Sequence, residues 1–252
     1  MKIKGRKIKK RYILLCCYVL ACIGFGAREY FHKNEGESRS IGSVRNGALE
    51  NGYILPYKAA NFDYFSPLSY YILDNGYTHS SVHRTMMDAF KLLETRTPDR
   101  YYSMMECSNQ DGGPILVHRT HMNGLSIDFM SPKLRNGKQN RFWDHLGIWH
   151  YALEFDEDGR LLIDKKTVID FESIAEAILA IDDAAKVNGL KIRKVIWKIN
   201  LKDNVFATKA GKEIQRRGIY FVRNLPDIVD MVHDDHFHID FDFDSAQPSS
   251  KN

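Results

Sequence analysis

Beyond residue 27 this chain of 252 residues contains one cysteine, Cys107; the other three, Cys16, Cys17 and Cys22, sit together near the N-terminus. An intramolecular disulfide is therefore excluded for the bulk of the chain. Its stability must come from burial of its core or from a metal. Cys107 ends an apolar run and is expected to be a buried structural thiol. A basic excess is also lacking. The formal charge is +4, but seven of the 36 Lys and Arg residues fall within residues 1–11, leaving 29 against 32 acidic residues. The remainder carries no field that would draw nucleic acid. A full membrane-spanning run is missing too. The uncharged, mostly apolar stretch Tyr12 to Ala27 holds sixteen residues, against roughly 20 for a spanning helix. No internal repeat is visible.

What is present at the N-terminus has the pattern of an export signal: the basic segment Lys2 to Arg11 followed by that apolar stretch. Three outcomes stay open. Cleavage could follow the small residues Gly24 to Ala27. Val19-Leu20-Ala21-Cys22 resembles an imperfect bacterial lipoprotein box, with Cys22 acylated. The segment could also remain as a membrane tether. All three place the protein outside the cytoplasm, in the periplasm. Residues 28–52 are polar, aperiodic and rich in Gly, Ser, Glu and Asn, which reads as a linker. Residues 53–245 are expected to form one domain, with 246–252 a disordered tail. Hydrophobic content of 44% suffices for a core of that size.

Within the domain, helices and strands mix without a regular βαβ repeat. Val82, Met86, Ala89, Phe90 and Leu93 recur at helical spacing, with Ser81 as N-cap. Tyr101 to Cys107 reads as a strand. Residues 131–147 are polar and read as a loop, followed by paired strands at Trp149 to Phe155 and Arg160 to Asp164. Asp170 caps a helix with the stripe Ile174, Ile178, Ile181 and Ala185; Asp203 to Arg217 is a second helix, stopped at Gly218. Val195, Trp197 and Ile199 alternate in a strand, and Ile219 to Val222 is a short one. The expected class is α+β, a single domain with a mostly antiparallel central sheet flanked by helices.

The chemistry concentrates in His233-Asp234-Asp235-His236-Phe237-His238-Ile239-Asp240. Alternation over its last five residues predicts a strand, so His236 and His238 share a face. Their Cα atoms are then about 6.5 Å apart. Two imidazoles do not make a zinc site, which takes three protein ligands at a catalytic centre. His121 and Asp128 can complete it only through a chain reversal. On one helix they would be about 10.5 Å apart along the axis, and on one strand about 23 Å. Asn123-Gly124 is a strong turn dipeptide between them, and Leu125 to Met130 then reads as a strand carrying Asp128. His145 and His150, beside Trp143, Trp149 and Tyr151, read as surface or core residues.

Gly112-Gly113-Pro114, then His118-x-x-His121-x-x-Gly124 and Asp128, and the downstream His233-x-x-His236-x-His238, resemble the two motifs of penicillin-insensitive murein endopeptidases. Those belong to the lysostaphin, D-Ala-D-Ala metallopeptidase and hedgehog group of zinc folds. The resemblance covers about residues 55–242. Ser126 stands where these endopeptidases commonly carry an aspartate, Thr120 replaces a usual serine, and the family's cysteine pairs are absent. The resemblance implies a hedgehog/DD-peptidase-like fold. It implies Zn2+ held by His121, Asp128 and His238, with His118 in or just outside the ligand set. His236 would act as base or transition-state stabiliser, supported by His233. The implied activity is hydrolysis of peptide cross-links in peptidoglycan by a metal-activated water. Two rivals stand beside it: a D-Ala-D-Ala carboxypeptidase or dipeptidase on the same fold, and a non-catalytic zinc domain that binds cell wall or a protein partner.

Overall fold

The computed structural model describes residues 10–116 and 118–244. The tail at 246–252 and the basic residues before Lys10 lie outside them. The chain divides into two units, residues 1–34 and 35–252. The first contains helix α1 (Lys10–Phe31), which carries the exposed Cys16 and Cys17. No helix among the described residues is long and apolar enough to cross a membrane.

The second unit starts earlier than its sequence suggests. Strands β1 (Arg39–Ser43) and β2 (Asn46–Glu50) pair as an antiparallel hairpin inside the segment read as a linker. The linker reading therefore fails over these residues. The hairpin is held by tertiary contacts, which periodicity cannot report. Leu49 is buried and its N–H donates to Asp111 O at 2.9 Å. Ser40 Oγ donates to Asn123 O at 2.6 Å, and Met122 N–H to Val44 O at 3.0 Å. The hairpin thus braces the turn that carries His121.

In chain order follow β3 (Tyr53–Ile54), β4 (Phe62–Tyr64), β5 (Tyr77–Thr78), α2 (Ser80–Arg96), β6 (Tyr102–Met104), β7 (Ser126–Met130), β8 (Lys133–Arg135) and β9 (Lys138–Gln139). After two 3-10 turns, Phe142–His145 and Gly147–Ala152, come β10 (Arg160–Leu161), β11 (Asp164–Ile169), α3 (Phe171–Val187), β12 (Leu190–Ile196), α4 (Lys202–Ala207), α5 (Lys209–Arg217), α6 (Asp227–Met231) and β13 (His236–Phe243). The main sheet has the order β12-β13-β7-β6-β4 and is antiparallel except for β4 against β6. The class is α+β, as expected.

Several local readings shift. His79, not Ser81, caps α2, accepting from Ser81 N–H at 3.1 Å. Asp170 caps α3 as expected, accepting from Ser173 N–H at 3.2 Å. The helix expected over 203–217 is broken at Thr208, whose hydroxyl accepts from Gly211 N–H and starts α5; Gly218 ends it in the left-handed conformation. Trp149 to Ala152 is 3-10 turn rather than strand. Residues 219–222 contribute only a bridge, Phe221 to Val195. Cys107 is fully buried, as expected.

The core explains the sheet's position. Phe129 and Phe237, opposite each other on β7 and β13, stack at 5.2 Å between ring centroids. Ile127, Ile239 and Phe241 share that apolar face, and Trp197, Phe90 and Phe62 join the same core. The other face of these strands is also buried but polar. A second, four-stranded sheet, β10-β11-β8-β9, carries the loop after β7. Its Lys133 is fully buried and pairs with Asp144 at 2.9 Å while also donating to Ser131 O at 3.0 Å.

Removing one partner of such a pair strands the other charge in a poor solvent. Lys133→Met is expected to lower unfolding free energy by about 3–5 kcal/mol, and the double change with Asp144→Leu to recover most of it. Urea denaturation of both variants checks this. Equal losses in single and double variants would refute it.

Candidate metal centre

The pairing of β7 with β13 places Asp128 opposite His238 and Ser126 opposite Asp240. Successive side chains alternate, so His236, His238 and Asp240 share one face with Ser126 and Asp128. Directly opposed residues sit close enough for short side chains to meet. His238 Nδ1 lies 2.6 Å from Asp128 Oδ1, and its Nε2 lies 2.6 Å from Asp240 Oδ1. Asp240 also accepts from Ser126 Oγ at 2.6 Å and pairs with Lys194 Nζ at 3.0 Å. Burial alone would depress the His238 imidazole, but Asp240 and Asp128 raise it to about 10. Burial likewise opposes the charge of Asp128, yet His121 and His238 hold its carboxyl well below the usual range. This polar floor is rich in carboxylates and buried.

His121 comes from the turn braced by the hairpin. Its backbone is left-handed, at φ 72°, a conformation that costs a non-glycine residue about 1–2 kcal/mol. Gly124 (φ 75°) and Gly112 (φ 72°) allow the surrounding crossings. A Cβ on Gly112 would meet Met122 O at 2.4 Å, and one on Gly124 would meet His79 N at 2.7 Å. The fully buried His121 ring stands edge-on to His238, centroids 4.8 Å apart, and to His118 at 5.1 Å. Its Nε2 lies 3.1 Å from Asp128 Oδ2, outside hydrogen-bond alignment, and both its ring nitrogens lack a hydrogen-bond partner. His118 Nδ1 approaches the same Oδ2 at 3.5 Å.

His118, His121 and Asp128 can present ligand atoms all within 4.8 Å of one another, and so could hold a metal ion. Buried ring nitrogens without a hydrogen-bond partner, as in His121, carry a desolvation penalty of about 1–3 kcal/mol each. A cation on one of them removes part of that penalty and answers the surrounding carboxylates. The residues fit a divalent ion with mixed imidazole and carboxylate ligation.

A second cluster of metal-ligand types, His150, Asp235 and His236, has similar spacing. Its bonding differs. Asp235 Oδ1 meets His236 Nδ1 at 2.8 Å, and Oδ2 meets His150 Nδ1 at 2.9 Å. Burial opposes the Asp235 charge, but His150 and then His236 hold its carboxyl well below the usual range. Burial would lower His236, yet Asp235 keeps it above its ordinary value. Both oxygens of Asp235 are thus engaged by imidazole nitrogens, which makes the triad a hydrogen-bonded chain. His233 lies beside it, ring centroid 4.6 Å from that of His236, with Nδ1 2.6 Å from Val229 O. Burial, then the neighbouring His236, push its imidazole down to about 3.

The six residues singled out from the motifs, His118, His121, Asp128, His233, His236 and His238, lie near one another, but the ligand atoms that group are those of His118, His121 and Asp128, while His238, expected as a ligand, is bonded at both nitrogens by Asp128 and Asp240. Two further groups were missed. Glu106, in the run before Cys107, is buried with Oε2 unpartnered, 3.8 Å from His118 Nε2. Burial, then the Asp128 charge, push its carboxyl up to about 7. His150, read as a surface or core residue, is a buried partner of Asp235. Its neighbour Tyr151 reaches His118, hydroxyl to Nε2 at 3.4 Å. His145 instead joins Arg141 and Asp63.

Gly124→Ala tests the brace. The added methyl meets the His79 backbone in a left-handed conformation, so a loss of more than about 1 kcal/mol is expected, with weaker metal binding through the displaced His121. Thermal unfolding and zinc titration measure both, and unchanged values in both would count against this role for the turn.

No protein-family model matches the chain, and a comparison with curated proteins finds no match.

Proposed function

We propose that the protein is an exported zinc metallopeptidase of the penicillin-insensitive murein endopeptidase type. On this reading it has a hedgehog/DD-peptidase-like fold and hydrolyses peptide cross-links of peptidoglycan. The observation that carries the proposal is the pairing of two unlike clusters on one buried face. One has orphaned imidazole nitrogens beside a carboxylate. The other has a histidine held by a fully satisfied carboxylate.

The motifs assign the ion to His121, Asp128 and His238; the geometry favours His121 and Asp128 with His118 as the third ligand, because both nitrogens of His238 are engaged by Asp128 and Asp240. Zinc in such a set supplies a Lewis acid that activates water near neutral pH and polarises a peptide carbonyl. The chain's own residues supply the proton handling. A carboxylate only accepts, so Asp235 Oδ1 fixes the hydrogen of His236 on Nδ1. Nε2 is then the atom that takes a proton from water and returns it to the leaving amine. Asp240, steadied by Ser126 and Lys194, keeps the far nitrogen of His238 engaged and so turns its Nδ1 toward Asp128. No serine or cysteine nucleophile enters the scheme. Retention of His236 beside the ligand set favours an enzyme over a binding domain, which would tolerate its loss.

The purified protein is expected to hold about one zinc ion and to cut cross-linked muropeptide dimers into monomers, read by mass. His236→Ala should keep zinc and lose about 10²–10⁴-fold in rate, whereas His121→Ala should lose zinc. Loss of only a terminal D-Ala would point to the carboxypeptidase alternative. Zinc retention with binding of sacculi and no cleavage would point to the non-catalytic one. Full hydrolysis by zinc-loaded His236→Ala would overturn the role of that residue.

A further inference from the structure

The turn Gly147–Ala152 lies far in sequence from both motifs, yet two consecutive residues of it touch both clusters. His150 bonds Asp235 across 85 positions, and Tyr151 reaches His118. His150, Asp235 and His236 are each about 1% exposed. The His150 ring is held edge-on by Phe65, centroids 5.7 Å apart, and stands edge-on to His236 at 5.5 Å. Asp235 is fixed at its backbone as well, its carbonyl accepting from Ser131 N–H at 2.9 Å.

We infer that His150 is a positioning residue which, through Asp235, fixes the tautomer and ring plane of His236. The inference rests on the peptidase reading only where it concerns rate. A carboxylate has two oxygens free to rotate about one bond. With Oδ2 engaged by His150 Nδ1–H, that rotation is stopped and Oδ1 faces His236 Nδ1. His236 must then carry its hydrogen on Nδ1 and leave Nε2 unprotonated in the neutral ring. Without His150, Oδ2 would be a buried acceptor lacking its donor. Asp235 would turn to satisfy it, and His236 would lose its fixed orientation. Residues that orient a working histidine in this way contribute about 10–100-fold.

The test uses the full-length chain labelled with ¹⁵N-histidine, with His236→Gln to assign the His236 signals. At mildly alkaline pH the wild-type spectrum should show His236 in the Nδ1–H tautomer. The Nε2–H tautomer in the wild type would refute the inference without any further variant. His150→Phe keeps the ring and removes the donor. It should mix the two His236 tautomers and lower kcat on the muropeptide dimer about 10–100-fold, with KM and zinc content unchanged. His150→Asn, whose amide places a donor near the lost Nδ1, should restore the tautomer and most of the rate. A His150→Phe protein with an unaltered His236 spectrum would overturn the inference. So would loss of zinc in step with rate, since that is disruption and not positioning. If the wild type cleaves nothing, the peptidase reading fails, while the tautomer measurements still decide the role of His150.

Discussion

Everything at the candidate centre depends on the register of β7 against β13. Asp128 faces His238 across a single ladder position, and Ser126 faces Asp240 two residues away. A slip of one residue would turn Phe237 and Ile239 into the polar face and the histidines into the aromatic core. The stacked pair Phe129 and Phe237 resists that slip from the apolar side. The bonds from Asp128 to His238 and from Ser126 to Asp240 resist it from the polar side. Hydrophobic burial and ligand placement are therefore not separate achievements here. The same alternation delivers both, because each strand presents one face to the core and the other to the site.

The polar face is costly to build. Asp128, His121, His236, Asp235 and Asp240 are all nearly inaccessible to water, and each charge must find a partner inside the protein. The two clusters meet this demand differently. Asp235 is satisfied by two imidazoles at ordinary hydrogen-bond lengths. His121 is not satisfied at either nitrogen, and Glu106 Oε2 faces His118 without bonding it. Strain points the same way, since His121 holds a left-handed backbone that its side chain disfavours. Unsatisfied buried polar atoms and left-handed backbone coincide at His121, in the first of the two clusters.

What could be read from the sequence follows from how local each signal is. The strand His236 to Asp240 was legible because its alternation is contained within five residues. The reversal at Asn123-Gly124 was legible because turn chemistry is a property of a dipeptide. The hairpin at 39–50 was not, because its stability lies in Leu49 under Asp111 and Ser40 against Asn123, contacts with no periodic trace. Glu106 stood alone in an apolar run, with no nearby residue to mark it. His150 lay in an aromatic stretch that reads equally well as a strand, and its partner is 85 positions away. The cap of α2 moved from Ser81 to His79 because an imidazole nitrogen can accept the same backbone bond as a hydroxyl.

The segment 131–152, read from sequence as a loop over 131–147 but folded into β8, β9 and two 3-10 turns, shows why such distant partners matter. Short strands joined by irregular turns are ordinarily more mobile than a central sheet. Here the segment is pinned twice in the interior: by the ion pair of Lys133 with Asp144, and by the hydrogen bond of His150 to Asp235 at its end. Burying ion pairs is a poor route to stability, since apolar residues of the same size would serve as well or better. What charge pairs supply and apolar contacts do not is direction, because each hydrogen bond fixes an angle as well as a distance. Lys133 donates to Ser131 O, and Ser131 N–H donates to Asp235 O, so the first pin connects to the residue held by the second. A loop built only to cover the core would not need that chain of bonds. A loop that must hold a carboxylate oxygen in front of a particular ring nitrogen would.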